Sequence, residues 1–385
     1  MRKKNDVIFL AIFFICIFYG IVSPTQLTFS QQYKNGRLEL RPILSIDDTI
    51  LPERIVFENP THIAFDDANN VYVSDYRACH ILKFDQSGRF IKLIGQRGEG
   101  PGDLMAPAFI AITKETVVVY DIRSKKFSTF TRDGEFIQQF SYLNEAGCSV
   151  KKIRSLSNGC IAIEIEKKDI MALNKPCECY IDIVYPNFKV KKSINLGNTL
   201  DAKCVRNNTG TISFSLPFSP RFFWDVEPNV GLVIGNSKNY KIKIFNEEGV
   251  FKKSFDREYE QIKVNRYDKI SYLDKYVGRI EKKAPNTAKT IRENIEFPSV
   301  KPAFHGLFLD PSGHILTCLY QEKREDDNSY YDCFDSNGKY INMIKAIGAE
   351  LSIVHVNYNE KSLWGIELSD EGIYKIVKYG LTSIK

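Results

Sequence analysis

One heptad recurs four times along this chain, and it constrains the fold more than any other feature. The copies are FDQSGRF (84–90), FTRDGEF (130–136), FNEEGVF (245–251) and FDSNGKY (334–340). Each sets an aromatic, three turn-forming residues, a glycine, one further residue and a second aromatic. Glycine at that step suits a tight hairpin needing positive φ, and the flanking aromatics fall on the two strands it joins. Upstream, a short strand ends in a polar residue nine positions before three of the heptads, at Asp75, Asp121 and Asn236. Another strand precedes it, such as HIAFD (His62–Asp66) or FHGLFLD (Phe304–Asp310). The unit is therefore four short strands, and the first two heptads start 46 residues apart. No 3.6-residue period runs inside the units, so they are propeller blades and not turns of a helical solenoid.

The spacing predicts blades at 60–95, 107–141, 150–197, 220–256, 302–346 and 352–380. The third lacks the glycine heptad and turns on YPNFKV (Tyr185–Val190). The last supplies only three strands, while RLELRPILSI (Arg37–Ile46) has no blade of its own. The expectation is an all-β, six-bladed propeller of four-stranded antiparallel blades, closed by that N-terminal strand, which removes the open edge. Residues 257–299 break the rhythm before the fifth blade. There Ile270, Leu273, Val277 and Ile280 recur at steps of three and four, predicting an amphipathic helix over 266–283, with a second over 287–296 stopped by Pro298.

MRKKND followed by the apolar run Val7–Val22 reads as an export signal or an uncleaved anchor over residues 1–30, leaving 31–385 as the propeller. The chain is therefore expected to be exported: periplasmic, envelope-associated or secreted, and monomeric. Its only membrane contact would be through that anchor. Net charge is +6, with no basic block, which argues against nucleic acid. Eight cysteines follow the leader. Cys318 and Cys333, on strands expected to pair, are the disulfide candidate; buried free thiols are the alternative.

The heptads, together with GQRGEGPGDLMAP (95–107), resemble NHL-type repeats, and especially exported six-bladed propellers of gram-negative gut anaerobes. The resemblance covers nearly the whole chain after the leader, helical insert included. It implies the fold and carries no assigned activity, although some NHL-like propellers are metal-dependent lyases or lactonases. The glycine-rich stretch is not a phosphate loop, because a strand, PAFIAI, follows it where a helix N-terminus would be needed.

Strand direction locates the interesting face. Loops between the second and third strands of each blade, and the connections between blades, must emerge on one side. This interblade face should carry Tyr76, Arg77, His80, Arg97, Arg123, Lys126, Arg221 and Tyr240 as ligand-binding residues, with Lys125, Lys167, Lys168, Lys238, Lys323 and Arg324 around them. Arginine suits carboxylate or phosphate, and tyrosine suits stacking. The helical insert emerges there too, as a lid or docking arm. No GxSxG elbow, Walker loop or HExxH is present, and no cofactor is implied. The leading expectation is a non-catalytic propeller binding a peptide, protein or glycan. A metal-dependent hydrolase or lyase using His62, His305 and His355 is the alternative, and a structural assembly component a third. Alternating strand faces argue that the three histidines would not all point inward.

Overall fold

The computed structural model describes residues 28–143, 146–169, 174–207, 210–321, 328–348 and 355–381. Six four-stranded antiparallel blades stand around a central channel. Blade 1 is built from Pro60–Phe65, Val71–Asp75, His80–Phe84 and Phe90–Ile94; blades 2 to 5 span 107–140, 148–199, 222–256 and 306–347. Blade 6 combines His355–Asn357, Ser362–Leu368 and Tyr374–Leu381 with Arg37–Ile46 as its outermost strand, the predicted closure. The same strand does more than was expected. Its first residues, Arg37 to Glu39, pair in parallel with Lys345 to Ile347 of blade 5, so one strand seams two blades. Gly348 (φ +92°) leaves blade 5 so close to the Leu40 carbonyl that no Cβ would fit.

The heptads behave as read. Gly88, Gly134, Gly249 and Gly338 have φ between +74° and +85°, and each flanking aromatic pair meets edge-on with ring centroids 5.6–6.0 Å apart. In blade 3, Phe188 takes the glycine's place at φ +62°, donating its N–H to Tyr185 O at 2.8 Å as Gly88 does to Asp85 O at 2.9 Å. Its ring is buried against Phe127 and Phe140, at 4.9 and 4.5 Å, so packing offsets the strained backbone. Blade 6 turns on Gly372 (φ +82°) in LSDEGIY, a fifth copy hidden by leucine in the first aromatic position.

The core is six buried clusters, one at each blade interface. The closing one packs Trp364 and Ile376 of blade 6 with Ile46, Ile63, Val73 and Phe84.

The insert is helical over Arg266–Tyr272, continues through a π turn at Leu273–Val277 and Gly278–Glu281, and returns through Pro285–Asn294. Its apolar face covers an element the sequence reading missed, a hairpin of Ala202–Asn207 and Gly210–Ser215 between blades 3 and 4. Phe214, Val277, Ala288 and Ile291 form that small core. Ile270, expected on the apolar stripe, is instead 47% exposed, because the π turn shifts the register of the face before Leu273.

Three further expectations need revision or placing. The leader up to residue 27 lies outside the described residues, but a helix, Phe29–Lys34, begins ahead of the boundary expected at 31. Thr28 caps it, and Phe29 and Tyr33 are buried in the seam between blades 5 and 6. All eight cysteines described are buried free thiols. Cys318 and Cys333 do lie on paired strands, but the register sets Cys318 opposite Tyr331 and Cys333 opposite Leu316, so the thiols are diagonal and unbridged. In the glycine-rich loop, the Asp103 carboxylate accepts the Gly100 N–H and the Gln96 amide, both at 2.9 Å, so the loop is closed on its own acid.

Candidate functional site

The recurrent aspartate organises the interblade face. Asp75 accepts the N–H groups of Glu58, Asn59, Arg77 and Ala78 at 2.8–3.1 Å, and Asp121 those of Met105, Ala106, Arg123 and Ser124 at 2.6–3.1 Å. Each carboxylate pins the incoming interblade chain to the second-to-third-strand turn. The result is a groove of about 280 Å³ at the junction of blades 1 and 2, lined by Tyr76, Arg77, Arg97 and Arg123 with Glu58. Four of the eight expected residues thus meet. Arg97 is partly committed, donating to the Arg77 carbonyl and standing 3.9 Å from Glu58. The guanidinium groups of Arg77 and Arg123 have no partner among the described residues.

The other four do not join them. His80 is half-buried, with its Nε2 unpartnered among the described residues, and burial lowers its pKa. Lys126 reaches Gln139 at 3.5 Å on blade 2, and Arg221 pairs with Asp201 at 3.2 Å. Tyr240 is not on the rim. It is 1% exposed between blades 4 and 5, its hydroxyl bonded to Thr317 at 2.6 Å and to Asp332. Its left-handed backbone (φ +47°) turns the ring inward. Lys323 and Arg324 lie outside the described residues.

A cleft of about 650 Å³ lies on this face between the insert and blade 5. Tyr267, Tyr272 and Tyr276 come from the insert, and Phe218, Tyr320, Gln321, Asn328 and His305 from the propeller. Tyr272 and Tyr276 are bonded to the Ser215 backbone, at 2.9 and 3.4 Å, which fixes the helix over the hairpin. At the base, Lys301 is 4% exposed, 2.8 Å from Asp268 in the insert's first turn and 3.0 Å from the Gln321 carbonyl, with the Phe218 and Tyr320 rings each 5.7 Å away. Burial pushes the Tyr320 phenol up to about 12.

On the opposite, hairpin face, the channel opens as a second cavity of about 350 Å³, reached from the inner strands of blades 1, 2, 3, 4 and 6. His62 and His355 meet there edge-on at 4.9 Å. His305 does not reach them. It lines the cleft, with its Nε2 3.3 Å from Cys318 Sγ. The three histidines therefore do not form one ligand set. Arg154 lies 2.8 Å from His62 Nε2 and can only donate, so that lone pair is used, while Nδ1 faces the Ile110 amide at 3.5 Å. Burial, with the neighbouring positive charges of Arg154 and Lys152, depresses the His355 pKa to about 3 and that of His62 well below the usual value. Among the described residues no group of three metal-ligating side chains is assembled.

Residues 52–152 match the family DUF5128, described as a 6-bladed beta-propeller. Two solved structures are similar along most of the chain. One is an exported protein from Bacteroides fragilis (13% identity, TM-score 0.52, covering 94% of this chain and 98% of that one). The other is a member of the duf4221 family from Bacteroides vulgatus (12% identity, TM-score 0.53, 91% and 99%). No match is found among curated proteins. The chain is a six-bladed β-propeller.

Within this propeller, sequence reasoning missed the cleft tyrosines and the channel polar cluster. Lys152 and Arg154, in VKKIR on blade 3, both reach Asp225 of blade 4, at 3.5 and 3.1 Å. Burial alone would raise the Asp225 pKa, but the two cations hold it down; burial lowers Lys152 to about 8. Alternate cations on an inner strand were the available signal. Among the described residues no helix is long and apolar enough to cross a membrane.

Proposed function

We propose that this chain is an exported, non-catalytic propeller that binds a glycan chain on its interblade face, in the cleft between the helical insert and blade 5. The observation that carries the reading is the composition of that cleft. Tyrosines from two separate elements, Tyr267 and Tyr276 on the insert and Tyr320 on blade 5, line it together with Gln321 and Asn328. Rigid tyrosines offer apolar faces for the C–H surface of a sugar, and amides exchange hydrogen bonds with its hydroxyls. Export is supported by the basic leader and apolar run that open the sequence. The groove of Arg77, Arg97 and Arg123 extends the same face and suits acidic groups on a long ligand.

The test is an oligosaccharide array followed by calorimetry. Tyr267 is 65% exposed, so Tyr267→Ala should keep the fold and still lose at least about tenfold in affinity, the loss expected for an aromatic contact. The double variant Arg77→Ala/Arg123→Ala should weaken acidic glycans selectively. Binding of peptides alone, or glycan binding indifferent to Tyr267, would refute the reading.

A further inference from the structure

The channel mouth on the hairpin face contains three polar groups that the fold leaves unspent. Arg154 is held at its Nε by Asp225 (3.1 Å), while its Nη1 contacts His62 Nε2 (2.8 Å) and the Ile153 carbonyl (3.1 Å). Its Nη2 has no partner among the described residues. Neither the His355 imidazole nor the Tyr358 hydroxyl has a hydrogen-bond partner among the described residues, and all three residues line the same cavity. None of the three is a sealed, unpartnered atom of the core, so their free polar atoms open onto the cavity and can meet a ligand there.

We propose that this mouth is a second site, independent of the cleft, that binds a small carboxylate with Arg154 as its anion clamp. The chemistry selects the ligand class. Arg154 can only donate, and the Tyr358 phenol and the neutral His355 imidazole can each donate one proton, so a carboxylate fits. Its oxygens can take the free Nη2 hydrogens while Nε and Nη1 stay with Asp225, His62 and the Ile153 carbonyl. Lys152 and Arg154 share the Asp225 carboxylate, and Lys152 also faces Glu164, which accepts from Trp224 Nε1 at 2.7 Å, so the buried charges balance and the ligand is selected by the free donors. Asp66 on the rim is occupied by its own turn, accepting from Tyr72 at 3.0 Å and from Asn70, and Asp67 by Arg132. Ala64, Ile110 and Val356 supply apolar wall. At about 350 Å³ the cavity suits one sugar acid or amino acid and not a polymer. Arg154 is also preorganised, because Asp225 and His62 fix the plane of the guanidinium before any ligand arrives.

The test is a titration of the full chain, labelled at histidine, with sodium acetate and sodium glucuronate at constant ionic strength and pH 7, read by NMR. Both should shift the His355 and His62 signals saturably, whereas acetamide and sodium chloride should not. Arg154→Gln should weaken acetate at least about tenfold, and Tyr358→Phe several-fold. Because Arg154 belongs to a buried network, Tyr358→Phe, which removes one hydroxyl, keeps the test valid if Arg154→Gln fails to fold. Tyr267→Ala in the cleft should titrate as the wild type. Absence of a saturable shift, an equal response to acetamide or chloride, unchanged affinity in the folded variants, or loss of acetate binding in Tyr267→Ala would each overturn the proposal.

Discussion

Removing the carboxylate of Asp268 would strand a lysine. The Lys301 side chain is 3% exposed and Asp268 is 14% exposed, so solvent can do little to replace the lost charge. Breaking a buried pair from one side costs about 3–5 kcal/mol, and Asp268→Ala also removes the acceptor for the Asn265 N–H in the capping box, about 1 kcal/mol more. The full sum will not appear as lost global stability. The insert is held to the propeller through a small core of its own, so it can swing open and hydrate Lys301 for less than that. The cheaper route wins, and the perturbation should show as local opening. Amide exchange over 266–281 should speed up about 100-fold, equivalent to about 3 kcal/mol, while exchange in blades 1 to 3 stays put. Pairing the change with Lys301→Met should restore exchange to within a few-fold of wild type, since a neutral, apolar replacement of both partners leaves no buried charge. Asp268→Ala exchanging like the wild type, or a double variant no better than the single, would refute the reasoning.

Other consequences follow from the same geometry. Asp75→Ala or Asp121→Ala leaves four backbone N–H groups without their carboxylate and should cost at least about 3 kcal/mol in denaturant titrations, at about 1–3 kcal/mol per unpaired group. Phe188→Gly relieves a left-handed backbone worth about 1 kcal/mol but empties a buried aromatic site worth about 3–5 kcal/mol, so net destabilisation is expected; a more stable variant would contradict the packing argument. His62 and His355 have folded pKa values below the ordinary 6.5, so the unfolded chain takes up protons first as pH falls. Stability should be intact above pH 6.5 and decline from there as pH falls. His355, whose folded pKa is about 3, should contribute about 2 kcal/mol of the loss at pH 5, with His62 adding in the same direction, and His355→Gln should flatten the slope.

The architecture was legible because each blade must repeat the same hairpin. Gly88, Gly134, Gly249 and Gly338 mark turns that positive φ requires, and Asp75 and Asp121 recur because each organises its own turn. Local rules of that kind survive in sequence. The hairpin at 202–215 did not, since it has no glycine heptad and its apolar residues become meaningful only against the insert. Tyr240 was misplaced for a related reason. The loop count put it on the rim, while its left-handed backbone sends the ring into the interface of blades 4 and 5. The groove of Tyr76, Arg77, Arg97 and Arg123 was found because strand direction alone assigns loops to a face. The cleft and the channel cluster join residues from several blades, such as Lys301 with Asp268 and Arg154 with Asp225 and His62, and no linear spacing encodes those meetings.

The most direct test of glycan binding in the cleft is a hydrogen-exchange difference map of the full chain with and without a saturating oligosaccharide. Binding in the cleft predicts protection over 266–276 and 318–321, with the hairpin-face turns unchanged. Protection confined to those turns, or none at a concentration where calorimetry records saturation, would contradict it.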